Sequence, residues 1–153
     1  TPVVGVDLSR IGNVYTGTPP FEVTRRDIAA FADAVGATSP VHRDSAAARA
    51  AGFADVVAPA TFAVVIAQEA EAEYISDPAS GVDFSRVVHA EESFTAARPI
   101  VAGQQLETAV HVDWITQRGG LTLVTTRTGV TDPLDGGLVT SVVSTLAVRG
   151  DDA

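Results

Sequence analysis

Three histidines, at positions 42, 89 and 111, are the side chains of this chain best suited to moving protons near neutral pH. Cysteine is absent, which removes thiolate nucleophiles, thiolate metal sites and disulfides. The histidines lie far apart in sequence with no closely spaced ligand pair, so no metal site is expected. The chain also lacks glycine fingerprints for phosphates or dinucleotides, a G-x-S-x-G turn and an H-E-x-x-H helix. What remains is GATSPVH (residues 36–42), followed by GFADVVAPATF (residues 52–62). Gly36 stops a helix, Ser39-Pro40 turns the chain, and His42 follows. Downstream, an apolar helix should begin beside Ala58-Pro59-Ala60-Thr61, because proline has no amide hydrogen to waste in a first turn. Free amides at a helix start can hold an oxyanion. A histidine near them could move a proton beside a carbonyl, which suits chemistry alpha to a thioester.

The elements that must position these groups follow from two periods. Residues 24–35 (TRRDIAAFADAV) read as a helix, with Thr24 as cap, Asp27 three residues on, and Ile28, Phe31, Ala32 and Val35 at helical spacing. A second, short helix runs from a cap at Asp44 to Gly52. The third starts near Pro59. Its first half, ATFAVVIA, is apolar all round and should be buried. Its second half, QEAEAEY, should emerge into water, its acidic residues being a solvated helix end. From there the period becomes two. Strands are expected over 87–97, 106–114, 121–130 and 138–148, with Gly119-Gly120 and DPLDGG (132–137) as turns. In the second of these, Leu106, Thr108, Val110, Val112 and Trp114 should share the packed face, leaving His111 exposed on the other. The fold class is α+β: an antiparallel sheet curling around one apolar helix, as a single domain over residues 1–153.

The chain has 153 residues, 46% of them hydrophobic, and carries a formal charge of −9, with 10 arginines and no lysine. That field repels polyanions, so nucleic acid and anionic membrane are poor partners. No run of eighteen apolar residues is present for a membrane span. The N-terminal residues TPVVGVDLSR lack the pattern of a secretory leader, and a cytoplasmic location is the expectation.

Taken together, YTGTPPFEVTRRDIAAFADAVG, SPVHRDSAAARAAGFADVVAPATF, DFSRVVHAEESF and RPIVAGQQL resemble the MaoC-like hot-dog-fold hydratases and dehydratases. The likeness spans nearly the whole chain and looks nearest to the short actinobacterial (3R)-hydroxyacyl-ACP dehydratase subunits. It implies a hot-dog fold acting on acyl-ACP or acyl-CoA thioesters, without a metal or redox cofactor. The family motif Gly-Asp-x-Asn-Pro-(Leu/Ile/Val)-His falls on Gly36-Ala37-Thr38-Ser39-Pro40-Val41-His42. His42 then matches the catalytic histidine. Ala37 stands where the family has its catalytic aspartate, and Ser39 where it has asparagine. The amides near Ala60 and Thr61 would polarise the thioester carbonyl.

Ala37 cannot transfer a proton, so the resemblance implies a homodimer or, for full activity, a heterodimer with a second hot-dog subunit supplying the Asp/His pair. Such assembly would join sheet edges. Ser39 reads first as a turn residue and second as a contact to substrate or water. His89 reads as a structural histidine holding its loop or, with Glu91 or Glu92, as a substrate-binding replacement for the lost aspartate. Arg25, Arg26, Arg43 and Arg86 read as surface charges that could form a basic rim for an acidic carrier. A non-catalytic acyl-thioester-binding or scaffolding subunit, and a hot-dog thioesterase, are the alternative readings.

Overall fold

The alternating second half of the chain forms the sheet. The computed structural model describes residues 5–150. Its strands are β1 (Val14–Tyr15), β2 (Phe21–Glu22), β3 (Val87–Ala96), β4 (Gln105–Arg118), β5 (Leu121–Asp132) and β6 (Gly137–Arg149). Every pairing is antiparallel, in the order β1-β4-β5-β6-β3, with β2 also on β4. The β4–β5 turn uses Gly119 at φ +58° and the β5–β6 turn uses Gly136 at φ +70°, backbone that residues with a Cβ rarely adopt.

Three helices come before the long strands: α1 (Arg25–Ala34), α2 (Ser45–Ala50) and α3 (Ala63–Ile75). Thr24 Oγ1 accepts the Asp27 amide at 3.1 Å and Asp44 accepts the Ala46 amide at 2.9 Å, so both expected caps form. α3 is entered through a 3-10 turn, Ala60–Phe62, and packs against β4, β5 and β6. The sheet wraps this helix in the hot-dog arrangement. No helix among the described residues is long and apolar enough to cross a membrane.

The core has two apolar clusters. One surrounds the first half of α3 and includes Val23, Ile28, Val56, Phe62, Ile66, Leu106, Val130 and Val142. The other surrounds its end and includes Tyr74, Ile75, Val112, Ile115, Val124 and Leu146.

Two expectations are corrected. The second half of α3 does not emerge into water. Ala67, Ala70, Glu71, Tyr74 and Ile75 are buried, because the sheet follows the helix for its whole length and one face stays covered. Nor is the acidic run merely solvated. Glu73 accepts the Gly17 amide at 3.1 and 3.0 Å through its two oxygens, Asp77 accepts the Tyr15 hydroxyl at 2.8 Å, and Glu71 is fully buried. Trp114 is also not packed inward. The β4–β5 register slips between Val112 and Trp114, and this bulge moves burial to Ile115, leaving Trp114 65% exposed. His111 is half-buried rather than exposed, since β1 pairs alongside it at Val14.

Candidate active site

The loop carrying His42 is built from the end of α1. Gly36, at φ +72°, lets the Ala37 amide reach back to the Ala32 carbonyl at 2.8 Å, and the Gly36 amide to Asp33 at 3.3 Å. This is a Schellman closure, and it fixes where Ala37 sits. Ser39 then caps a 3-10 turn, Pro40–His42, accepting the Val41 amide at 3.5 Å. Arg43 holds the loop from outside: its guanidinium bonds Asp33 at 2.6 Å, the Ala37 carbonyl at 2.6 Å and the Ser39 carbonyl at 3.1 Å.

His42 is fixed by an extended, buried segment, Val56 to Ala58. The Val57 amide donates to the Val41 carbonyl at 3.0 Å, and His42 Nδ1 lies 2.6 Å from the Val57 carbonyl. A carbonyl oxygen only accepts, so Nδ1 carries the hydrogen, and in the neutral ring the lone pair is on Nε2. On its other side this segment pairs with residues 100–102: the Ala58 amide donates to Ile100 at 2.8 Å and the Ala102 amide to Val56 at 2.9 Å. Asp55 anchors it to α1 through two 2.9 Å bonds from Arg25 and one of 2.6 Å from the Val56 amide. The Arg25 bonds and the Val56 amide hold the Asp55 carboxyl down at about 2.

The segment runs directly into Pro59 and the start of α3. No side chain caps that start, and Ala60 and Thr61 are exposed. A cavity of about 370 Å³ opens there between Val57, Ala58, Ala60, Arg98, Ile100 and Thr140. His42 is one hydrogen bond from this wall, through Val57, rather than part of the lining. The structure therefore ties His42, through Val57, to the stretch of backbone that carries Ala60 and Thr61, with Ser39 at an exposed turn.

His89 is placed elsewhere. It lies on β3 opposite Leu146, and its Nε2 is 3.9 Å from Oε2 of Glu71. Glu71 is about three turns, roughly 16 Å, along the helix from Ala60. Glu91 is exposed, while Glu92 turns inward to bond Ser144 at 2.8 Å. Three contributors were not read from sequence as more than surface charge or a solvated end: Arg43, Asp55 and Glu71. Glu71 did carry a signal, since it stands at the same helical face spacing as Ala67, Ala70 and Tyr74. The arginines offered as a basic rim are largely engaged with carboxylates: Arg25 with Asp55, Arg43 with Asp33, and Arg86 with Asp83.

Residues 9–140 match the model of the family described as FAS1-like, dehydratase domain region. A UPF0336 protein of Clavibacter michiganensis subsp. michiganensis is 47% identical over 142 residues, covering 93% of this chain and 95% of its own length. Among solved structures, the C-terminally truncated HadBC (3R-hydroxyacyl-ACP dehydratase) complex from Mycobacterium tuberculosis superposes with a TM-score of 0.81 at 27% identity. That match covers 94% of this chain and 99% of that one. A MaoC-like dehydratase superposes with a TM-score of 0.84 at 31% identity, over 94% of this chain and 43% of that one. With the model covering most of its length and the hot-dog sheet closed around α3, this chain belongs to the FAS1-like dehydratase family, among the MaoC-like hot-dog dehydratases.

Proposed function

We propose that the chain is one subunit of a (3R)-3-hydroxyacyl-thioester dehydratase, acting on acyl-ACP or acyl-CoA and drawing its full Asp/His pair from a second hot-dog subunit. The observation that carries this reading is the His42 tautomer. With Nδ1–H committed to the Val57 carbonyl, the neutral ring keeps its lone pair on Nε2, and the bond ties it to the segment that leads into the uncapped start of α3. In dehydration, a base takes the C2 proton, the thioester oxygen gains negative charge, and the C3–O bond breaks. The departing hydroxide takes up a proton and leaves as water, and the 2-enoyl thioester remains. Amides of Ala60 and Thr61 suit the oxygen that gains charge. His42 suits one proton transfer.

The second acid/base group is missing at Ala37, and one such group is typically worth about 10² to 10⁴ in rate. A partner is the natural source, and the similarity to a HadBC complex supports a paired assembly. The β3 edge has β6 on one side only and exposes Val88, which suits edge-to-edge joining. A non-catalytic acyl-binding subunit is the second reading, favoured by the same alanine.

The test is hydration of crotonyl-CoA and longer enoyl-CoAs by the chain alone and after co-purification with a partner from the native cell. Turnover that appears only with the partner, and falls on His42→Ala in this chain, is expected. Full turnover by the chain alone would overturn the partner requirement. Partnered turnover indifferent to His42→Ala would favour the acyl-binding subunit.

A further inference from the structure

The inner face of the sheet carries a polar layer between the two apolar clusters, and it does not touch the His42 loop. A bulge in β3 between His89 and Glu91 sets His89 opposite Leu146 and Glu92 opposite Ser144. Both of those partners are fully buried on the helix side, so the bulge turns two titratable residues three apart toward α3. There Glu71 is buried, its Oε1 2.5 Å from Ser144 Oγ and 3.2 Å from Thr126 Oγ1. Ser144 Oγ also lies 2.8 Å from Glu92 Oε2. One hydroxyl hydrogen cannot serve two carboxylates, so one of the carboxyls must itself donate, and the pair holds a proton. Burial raises the Glu71 carboxyl, and the charge of Glu92 adds to this against the Ser144 and Thr126 hydrogen bonds and the influence of His89. Of the two carboxyls, Glu71 is the one whose surroundings favour keeping the proton.

The other oxygen, Glu71 Oε2, has no hydrogen-bond partner although the side chain is only 1% exposed. Glu71 and His89 both line a cavity of about 350 Å³ whose remaining wall includes Ala72, Ile75 and Phe84. The 3.9 Å between Oε2 and His89 Nε2 is too long for a direct hydrogen bond, yet it leaves room for one oxygen bonded to both. We propose that this cavity is a second ligand site, taking a neutral aliphatic chain with a single hydroxyl whose oxygen sits between Glu71 Oε2 and His89 Nε2. A hydroxyl donates to Oε2 and accepts from the imidazole. A ketone could only accept, and a carboxylate would stand beside the negative Glu92. The volume is at the small end of ligand pockets, which run from roughly 300 to 1,000 Å³, so a chain of moderate length fits. The site is independent of the dehydratase reading.

The experiment follows amide signals of the full chain by NMR while 1-octanol, 2-octanone or octanoate is added near neutral pH. Saturable shifts at Ala72, Ile75 and Phe84 are expected with 1-octanol. 2-Octanone should bind about tenfold more weakly for the lost hydrogen bond, and octanoate more weakly still. His89→Ala, at an exposed position, should weaken 1-octanol and 2-octanone by a similar factor, since both accept from the imidazole, and keep 1-octanol the tighter of the two through Glu71, whereas His42→Ala should change neither. No saturable shift, equal binding of the three probes, 1-octanol binding indifferent to His89→Ala, or shifts centred on Ala60 and Ile100 instead would overturn the assignment.

Discussion

The segment that leads into α3 meets, at Val57, an imidazole that has a backbone carbonyl for its partner. Three turns on, α3 meets a second imidazole with two carboxyls beside it, one of them buried. Each end thus holds part of an acid/base set, and the surroundings differ accordingly. The His42 end is a set of loops held by backbone bonds and by surface ion pairs from Arg25 and Arg43. The Glu71 end lies between sheet and helix, where hydroxyls of Thr126 and Ser144 are the partners. Position in the fold, rather than residue type, decides which way a carboxyl shifts: Asp55 is held down at about 2, whereas Glu71 is pushed up.

The largest expected effect tests the missing half of the first set. Ala37→Asp should raise hydratase turnover of the chain between about 10² and 10⁴ fold in an enoyl-CoA assay, because the Schellman closure already fixes the backbone there. An unchanged rate would mean that the loop no longer faces substrate.

Packing at that same end gives the next effect. Phe62 is 1% exposed and meets Phe21 and Phe31 edge-on at 6.1 and 5.5 Å. Phe62→Ala should cost about 3–5 kcal/mol in denaturant unfolding.

The pH dependence of stability should separate the two carboxylates by sign. Asp55 is lowered in the folded chain from 3.8 to about 2, so its contribution is present above 3.8 and lost as pH falls toward 2. Glu71 is raised above 4.5. From 4.5 up to its folded value the unfolded chain has released a proton that the folded chain keeps, so stability is full below 4.5 and lost as pH climbs. Glu71→Gln, uncharged and of similar shape, should remove that alkaline loss while changing neutral stability by no more than about 1 kcal/mol. Melting curves from about pH 2 to about pH 9 check both signs. An acid-side change on Glu71→Gln would refute the upward shift of the buried carboxyl.

The smallest effect checks the β4 bulge. Trp114→Thr should stay within about 0.5 kcal/mol of the parent, as for a surface site. A loss of several kcal/mol would place the indole in the core.

Much of the fold was legible because periodicity survives where elements are regular. The caps at Thr24 and Asp44, the strand beginning at Val87 and the turns at Gly119 and Gly136 stand where their residues imply. The failures sit at irregularities. One extra residue in β4 exposed Trp114, and one in β3 turned His89 and Glu92 toward the helix. A bulge is a matter of pairing between strands, so no single strand announces it. Glu71 was misread because a carboxylate among alanines resembles a solvated helix end until the sheet is known to cover it.

The sequence by itself determined the α+β class, the helix and strand order, the family likeness and the alanine in the aspartate position, since these rest on local spacing and residue identity. The tertiary structure alone decided that Val57 orients His42, that His89 stands beside Glu71, and that two carboxyls meet one serine hydroxyl inside the sheet. Those facts depend on contacts between residues fifteen to seventy-three positions apart, and only the folded chain brings such groups within hydrogen-bonding range.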